Sequence, residues 1–358
     1  MPHLLVITPY PNLSADTRYR IMQFIPGLEK AGWRVSLRPF MDARLFTIYN
    51  QPGNTVQKIR WTISGLVDRV GSIVSANQYD AILIHKEAFP FGPPWLENAL
   101  QKRVSCLIYD MDDAFWTHPP QFHQIGSRFR DPNRIAKMIG MSDHVLAGNE
   151  FLANYATNYN SAVTIFPTVL DTDRYLPRIE AEDEKVTIGW VGRWSSEAYL
   201  HKLIPVFQIL NQRYANIEFN FVGGMPDSFP PGLPVKLIPW RLESEIEDLC
   251  TFDIGIMPLP DDEYSRGKCG FKLLQYMALG IPAVASPVGV NNHIVREGIN
   301  GLLAKNEGEW VEKLSQLIES KSNRYEIGNH GRVTVEENYS LAKAFPILLN
   351  LLNSYSGS

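Results

Sequence analysis

The fold is decided by residues 253–304, which read DIGIMPLPDDEYSRGKCGFKLLQYMALGIPAVASPVGVNNHIVREGINGLLA. An apolar strand ends in a loop that contains glycine and lysine, a helix follows, and Gly280 and Pro282 lead into a second apolar strand. Lys268 and Lys272 flank the start of the helix. The first N–H groups of a helix have no partner inside it and carry partial positive charge. The stretch therefore predicts a site for a phosphate-bearing ligand.

Length and composition set the broad class. A chain of 358 residues is long enough for two domains, and 45% apolar with 20% charged residues is typical of a globular protein. A formal charge of −4 excludes a basic surface for nonspecific nucleic-acid binding. Three cysteines without metal spacing indicate a reduced, cytoplasmic protein. No run reaches the roughly 20 apolar residues of a membrane span, which leaves only peripheral contact with the inner face of a membrane open.

Strands alternate with helices along the whole chain. In the first half we expect strands at Leu4–Thr8, Val35–Arg38, Ala81–His85, Ser105–Tyr109 and His144–Ala147, with helices over Arg20–Ala31 and 56–76. In the second half we expect strands at Val186–Val191, Ile217–Val222, Val235–Ile238 and Asp253–Met257, with helices over Tyr199–Arg213 and Glu243–Leu249. Apolar strands separated by helices predict parallel sheets covered on both faces.

The predicted fold class is α/β, with two doubly wound, Rossmann-like domains facing a central cleft. The first domain covers residues 1–170, a polar linker covers 171–185, and the second domain covers 186–339. A last helix within 340–358 has an apolar stripe and is expected to pack on one of the domains, the first being our assignment. Asn149 is placed to cap the helix after the fifth strand.

The helix after Gly270 has one apolar stripe, which we expect to be buried; it consists of Phe271, Leu274, Met277 and Ala278. Lys272 and Gln275 lie off that stripe, near the end that would face phosphate. Each charge-assisted hydrogen bond to phosphate would contribute roughly 1.5–3 kcal/mol. The alternative is an ordinary solvated face of lysine and glutamine.

These motifs resemble the GT-B glycosyltransferases, specifically glycosyltransferase family 4. The stretch 253–304 resembles the family's signature region, and IGWVGRW (188–194) resembles the first strand and turn of its donor domain. SDHVLAGNEFLANYA (142–156) resembles the last strand and helix of its first domain, and GINGLLA (298–304) matches its closing run. The resemblance covers most of the chain and is strongest over 186–304.

The chain departs from the family pattern at two signature glutamates, whose positions fall on Gly267 and Gln275. Gln275 could still accept a hydrogen bond from a ribose hydroxyl, but it brings no charge. A lysine that the family tends to have after its VGR arginine falls on Tyr199, whereas the arginine itself is retained as Arg193.

The resemblance implies a retaining, metal-independent transferase of the hexosyltransferase type. It would move a sugar from a nucleotide diphosphate sugar to a sugar, lipid-linked or small-molecule acceptor, in polysaccharide or glycolipid synthesis, with no other cofactor and with domain closure. It places donor binding on Gly192, Arg193, Trp240, Lys268, Gly270, Phe271, Lys272, Leu274 and Gln275. Arg193, Lys268 and Lys272 would stabilise the charge on the leaving diphosphate.

YDMDDAFW (109–116) follows a predicted strand and admits three interpretations. Asp112 and Asp113 could be acceptor-side carboxylates, where the resembled family often has a His-Asp pair, and we assign them as catalytic on that ground. They could also form a metal site like the D-x-D motif of the other glycosyltransferase fold, GT-A. The third interpretation is a loop that caps the next helix.

Three further side chains are acceptor-side candidates. Arg18 and Arg20 follow the first strand and could contact phosphate, or lie on a solvated helical turn. His85 ends the third strand and could instead be a structural histidine; His118 is a weaker candidate. Two alternative functions stay open: a protein that binds a nucleotide sugar without transferring it, and a GT-B epimerase acting on a nucleotide sugar.

Overall fold

The computed structural model describes residues 1–49, 51, 53–89, 91–117, 131–178, 185–224 and 229–355, without the side chains of Trp194 and Ser195. By their contacts these residues form two units. The first comprises Met1–Thr168, Gly267–Cys269 and the segment from Leu341, and the second comprises Val169–Arg266 and Gly270–Ser340. Within the ranges above, no helix combines the length and the apolar character needed to cross a bilayer.

The first unit is built on a six-stranded parallel sheet in the order β2-β1-β3-β4-β5-β6. Its strands are β1 His3–Thr8, β2 Arg34–Pro39, β3 Ala81–His85, β4 Leu107–Met111, β5 His144–Ala147 and β6 Val163–Ile165. Its helices are α1 Ala15–Arg20, α2 Ile25–Lys30, α3 Ala43–Ile48, α4 Thr55–Val74, α5 Trp95–Gln101, α6 Arg134–Met141, α7 Glu150–Ala156 and α16 Leu341–Tyr355. The strand order reverses between β1 and β3, so a ligand is expected beyond the carboxyl ends of these strands.

The second unit repeats this plan with the order β12-β11-β10-β7-β8-β9. Its strands are β7 Val186–Val191, β8 Ile217–Val222, β9 Val235–Ile238, β10 Ile254–Met257, β11 Ala283–Ala285 and β12 Leu302–Leu303. Its helices are α8 Trp194–His201, α9 Ile204–Arg213, α10 Glu245–Leu249, α11 Glu263–Arg266, α12 Phe271–Ala278, α13 Asn291–Ile294, α14 Glu307–Glu319 and α15 Lys321–Asn338. Here the order reverses between β7 and β10.

The prediction of two doubly wound sheets is confirmed, and five strands have the predicted bounds; these are β3, β5, β7, β8 and β9. Asn149 caps α7 as predicted, because its Oδ1 accepts a hydrogen bond from the N–H of Leu152 at 2.9 Å. α16 belongs to the first unit, where Trp33 Nε1 donates to Asn353 Oδ1.

Two predicted helices are each divided in the structure. The helix expected over Arg20–Ala31 begins earlier, at Ala15, and is broken at Ile21, before Pro26 enters α2. The helix expected over Tyr199–Arg213 is divided between α8 and α9, and Pro205 lies in the first turn of α9. Proline is favourable in a first turn and unfavourable inside a helix, so each proline marks a new start.

Two other boundaries differ from the predictions. The strand expected at Ser105–Tyr109 runs two residues later, so Asp110 lies inside β4. Residues 171–178, which the sequence assigns to a linker, group with the second unit. There Tyr175 is buried, and its hydroxyl accepts a hydrogen bond from Gln275 Nε2 at 3.1 Å.

Candidate functional site

The loops after β7 and β8 approach each other through glycine. A Cβ on Gly192 would lie 2.2 Å from the Trp190 ring, and one on Gly223 would lie 2.1 Å from the Gly192 carbonyl oxygen. Gly223 has a φ of +83°, a conformation that L side chains rarely adopt. No side chain therefore fits at either position, because the Trp190 ring and the Gly192 carbonyl already fill the space.

Two cations that were predicted to bind the donor lie near these glycines. Arg193 directly follows Gly192, precedes the first residue of α8 and is exposed. Lys272, in the first turn of α12, places its ammonium 4.6 Å from the centre of the Trp190 ring and 3.4 Å from Ser196 Oγ. The cation–π contact and the hydroxyl hold the ammonium over the end of β7. Both charges and the amino end of α12 thus lie at the strand-order reversal of the second sheet.

The face of α12 differs from the prediction. Phe271 was expected in the buried stripe and is only half-buried, whereas Gln275 was expected off the stripe and is 2% exposed. Leu274 is fully buried, so its side chain is not open to a ligand. Gly270, with a φ of +69°, precedes the helix, and a Cβ there would lie 2.3 Å from Ile294 Cδ1. What α12 offers a ligand is therefore its backbone amino end and Lys272.

Trp240, predicted to bind the donor, lies after β9 and is half-buried. Its indole Nε1 donates to Glu245 Oε1 at 3.2 Å, and its Cβ lies 3.6 Å from the position of a Cβ on Gly223. The ring is thus fixed at its polar edge beside the glycine loop.

The loop Gly267–Cys269 groups with the first unit, whereas the other predicted donor-binding residues group with the second. Asn149 Nδ2 donates to the carbonyls of Gly267 and Lys268 at 2.9 and 3.1 Å, and Cys269 Sγ donates to the Asp112 carbonyl. Lys268 Nζ lies 3.9 Å from Asp113 Oδ1. A Cβ on Gly267 would lie 2.8 Å from the backbone nitrogen of Ala114. A glutamate at this signature position would not fit.

A buried ion network lies under the carboxyl ends of β3 and β4. Arg20 forms an ion pair with Asp110, and its Nη1 donates to the Phe166 carbonyl at 2.7 Å. His85 Nδ1 lies 2.6 Å from the other Asp110 oxygen. Burial alone would raise the pKa of Asp110, but Arg20 and His85 hold that pKa at about 2. Arg20 was expected either to contact phosphate or to lie on a solvated helical turn; it is instead buried and committed to this network.

One ring nitrogen of His85, Nε2, is not in contact with Asp110. This nitrogen is buried and has no hydrogen-bond partner among the residues that the structure describes. Because Asp110 contacts Nδ1, it favours the tautomer in which Nδ1 carries the proton and Nε2 accepts one. Arg18, the other arginine of α1, is half-buried with its guanidinium 4.9 Å from the Tyr19 ring centre. His118 lies outside the described residues.

Lys86 is the centre of a second charged group that the sequence did not single out. It has a φ of +64°, which is uncommon outside glycine, and its ammonium forms an ion pair with Asp16 and lies 3.4 Å from Asp112 Oδ1. Burial would lower the pKa of Lys86, but Asp112 and Asp16 raise it well above the usual value. Burial raises the pKa of Asp113 to about 6, against the opposing charge of Lys268.

Asp16, His85 and Asp112 bring three possible metal-ligand atoms within 4.8 Å of one another. The Lys86 ammonium contacts both carboxylates of this set and so balances the charge that a divalent ion would balance. Asp16 lies in α1, and its contact with Lys86 could be predicted only by knowing that α1 and β3 meet at the strand-order reversal.

Comparisons with known proteins identify the fold that carries this geometry. The structure of sucrose-phosphate synthase from Thermosynechococcus elongatus aligns over 100% of both chains, with a TM-score of 0.74 and 14% identity. The structure of Anabaena HepE in complex with UDP-glucose aligns over 99% of this chain and 100% of HepE, with a TM-score of 0.70 and 16% identity. The chain has the GT-B glycosyltransferase fold. Residues 185–320 match the glycosyl transferases group 1 family.

Curated relatives of this GT-B chain are more distant and match only in part. Trehalose synthase from Pyrococcus horikoshii is 23% identical over 197 residues, which are 51% of this chain and 48% of that protein. The capsular polysaccharide biosynthesis glycosyltransferase CapM from Staphylococcus aureus is 22% identical over 185 residues, or 48% of this chain and 47% of CapM. The chain spans about half the length of the curated relatives that it matches. The predicted resemblance to GT-B glycosyltransferases is confirmed by the fold and by the group 1 match.

Proposed function

We propose that this protein is a glycosyltransferase that moves a sugar from a nucleotide diphosphate sugar to an acceptor hydroxyl, with retained configuration and without a metal ion. The group 1 match over residues 185–320 carries the proposal, since it contains the glycine loop after β7 and the amino end of α12. UDP is the first nucleotide to test, because it is bound in structures of HepE.

The second unit would bind the donor diphosphate. Arg193, Lys272 and the N–H groups of α12 would supply positive charge to a phosphate group beyond the end of β7. When the bond from the sugar C1 to the phosphate oxygen breaks, its electron pair stays on the diphosphate. Positive groups that are already in place stabilise that charge without reorganising, and this lowers the barrier.

The first unit would hold the acceptor and its proton. The acceptor oxygen forms the new bond at C1, and its proton goes to the leaving phosphate oxygen on the same face of the sugar. Asp112 and Asp113 would orient the hydroxyl, and the Lys86 ammonium lies 3.4 Å from Asp112 Oδ1. His85 Nε2 is a further acceptor for that hydroxyl, oriented by Asp110.

Lys272→Ala tests the donor half. We expect its affinity for UDP or GDP, whichever binds, to fall by roughly 1–3 kcal/mol, since one charge-assisted contact is lost. Titration calorimetry measures this, and Lys236→Ala, which removes an exposed lysine on β9, is the matched control. Equal affinities for wild type and Lys272→Ala would reject the role of Lys272.

A protein that binds a nucleotide sugar without transferring it is the second candidate. It is favoured by the two signature positions, because Gly267 has no room for a side chain and Gln275 is buried against Tyr175. Incubation with UDP-glucose, alone and with glucose as a trial acceptor, separates the candidates. Product or slow donor hydrolysis supports transfer, and nucleotide binding without either supports the second candidate. Conversion of the donor into another nucleotide sugar would support an epimerase.

A further inference from the structure

The residue after β3, Lys86, lies at the centre of a strained turn. Its φ is +64°, and the N–H of Glu87 donates to the carbonyl of His85 at 2.8 Å across the turn. A three-residue turn closed by such a bond at positive φ is a form of γ-turn that is rare and strained. The N–H of Lys86 donates to the Asp110 carbonyl at 3.0 Å, so the turn is fixed to β4 as well. Strained backbone of this kind is concentrated at functional sites.

The Lys86 side chain is held inside the first unit. The residue is 8% exposed, and its ammonium forms an ion pair with Asp16 and lies 3.4 Å from Asp112 Oδ1. The same ammonium lies 5.0 Å from the centre of the Phe115 ring and 5.9 Å from that of Tyr10. A lysine side chain is long and flexible and normally extends its charge into water. Here two carboxylates and two rings fix that charge in one place.

The ammonium contacts groups that come from separate parts of the first unit. Asp16 belongs to α1, His85 ends β3, and Asp112 directly follows β4. One possible ligand atom from each of these three residues lies within 4.8 Å of the other two. Two carboxylates at such a separation repel each other, so the arrangement needs a cation beside them. Lys86, which contacts both carboxylates, supplies that charge.

Two buried atoms of this group lack a hydrogen bond. Within the part of the chain that the structure describes, His85 Nε2 has no hydrogen-bond partner, and Asp112 Oδ1 has its ion pair with Lys86 but no hydrogen bond. A network that served the fold alone would satisfy its buried polar atoms, since each one left over costs stability. Both atoms are hydrogen-bond acceptors when Asp110 holds the proton of His85 on Nδ1. A ligand that brings hydroxyl donors would satisfy both.

The group also lies where a ligand is expected. Asp16 follows β1 and Lys86 follows β3, and the strand order of the first sheet reverses between these two strands. Ligands of such sheets bind beyond the carboxyl ends of the strands at the reversal. A hydroxyl group fits this place better than a phosphate, because a phosphate would bring its negative charge against two carboxylates.

We propose that Lys86 is a positioning residue for the acceptor. Its ammonium takes the place that a divalent cation has in a metal site and holds Asp16 and Asp112 beside His85. Together the three side chains accept hydrogen bonds from hydroxyl groups of the acceptor. The identity of the ligand rests on the proposed sugar transfer, whereas the gathering of the three side chains by Lys86 does not.

Mn²⁺ binding tests the arrangement without any transfer. Lys86→Gly removes the ammonium and keeps the turn, since glycine adopts positive φ without strain. The two carboxylates then lose their counter-charge, and carboxylate oxygens are ligands that suit Mn²⁺. We expect Lys86→Gly to bind one Mn²⁺ at least about tenfold more tightly than the wild type, as followed by electron paramagnetic resonance. Adding Asp16→Asn should abolish the gain. Equal affinities of the wild type and Lys86→Gly overturn the proposal.

Transfer kinetics with UDP-glucose and glucose test the role towards the acceptor. We expect Lys86→Gly to raise the KM for glucose at least about tenfold and to leave the KM for UDP-glucose unchanged, because the donor would bind in the second unit. Mn²⁺ should restore the KM for glucose. Asp16→Asn, which changes a partly exposed side chain, should raise the same KM and serves as the second variant if Lys86→Gly does not fold. A lysine that only stabilised the fold would not affect one KM alone.

Lys137→Ala is the matched control. It removes a lysine that forms an ion pair with Asp131 at the surface of the first unit, and it should change neither Mn²⁺ affinity nor either KM. Transfer by the wild type, together with an unchanged KM for glucose in Lys86→Gly, would reject the role of Lys86 alone. Tighter Mn²⁺ binding by Lys86→Gly without transfer by the wild type would reject sugar transfer and support the gathering of the three side chains by Lys86.

Discussion

The two sheets reverse their strand order in the same way but end in different chemistry. Beyond β1 and β3 the first unit packs charged side chains against each other, with Arg20 and His85 on Asp110 and Lys86 on Asp16. Beyond β7 and β10 the second unit presents glycine backbone, the amino end of α12 and two cations. The charges of the first arrangement are paired with one another, whereas the second combines glycine backbone with Arg193 and Lys272, the residues proposed to bind the donor. Mutations should therefore affect stability in the first unit and ligand affinity in the second.

Asp110→Asn should have the largest effect. It leaves the Arg20 guanidinium buried without a counter-charge, so the free energy of unfolding should fall by about 3–5 kcal/mol. Urea unfolding followed by circular dichroism measures this. Asp261→Asn removes the same charge from an exposed ion pair with Arg266 and should leave stability nearly unchanged. Equal effects of the two substitutions would mean that the buried network on Asp110 stabilises the fold no more than the exposed ion pair does.

Gly223→Ala tests the glycine arrangement in the second unit. The new Cβ would lie 2.1 Å from the Gly192 carbonyl oxygen, at a φ of +83°, so the loop after β7 must move. We expect a loss of roughly 1–3 kcal/mol in stability beyond the backbone strain, and nucleotide affinity at least about tenfold lower. Gly232→Ala is the matched control, since its φ is +90° and a Cβ there meets nothing within 4 Å. It should show the strain alone and bind nucleotide normally.

Local sequence predicted the second unit better than the first. The motif after β10, the strand bounds and the cations near α12 all depend on residues that are neighbours in the chain. Their periodicity and spacing can therefore be recognised in the sequence. The two helices that were predicted as single contain Pro26 and Pro205, which are the signal for their division.

The buried ion network of the first unit could not be predicted from local sequence in the same way. Its members come from α1, β3 and β4, so they meet only once the strand order is known. Asp110 looked like one of three aspartates after a strand, whereas a two-residue shift of β4 places it inside the sheet. The Val and Ile side chains on the outer face of α4 have the period of a buried helix face, yet they are exposed, and sequence periodicity alone does not distinguish the two cases.

Asn149→Asp probes how the loop Gly267–Cys269 is held in the first unit. Aspartate keeps the oxygen that caps α7 but loses the amide that donates to the carbonyls of Gly267 and Lys268. We expect a loss of about 1–3 kcal/mol in the free energy of unfolding, smaller than that of Asn149→Ala, which loses the cap as well. Full stability in Asn149→Asp would mean that only the cap matters.

The pH dependence of stability should distinguish the carboxylates within the first unit, with a smaller effect. The pKa of Asp110 is lowered to about 2, so its contribution to the free energy of unfolding is present above the usual carboxyl pKa and is lost as the pH falls from about 4 to 2.

The pKa of Asp113 is raised to about 6, so the folded state holds a proton that the unfolded chain releases near pH 4. Stability should therefore fall as the pH rises from about 4 to 6 and then level off. Asp113→Asn should remove that decline, on the order of 1 kcal/mol, without altering the loss below pH 4. Urea midpoints measured at each pH would show it, and a decline that persists in Asp113→Asn would assign the proton to another group.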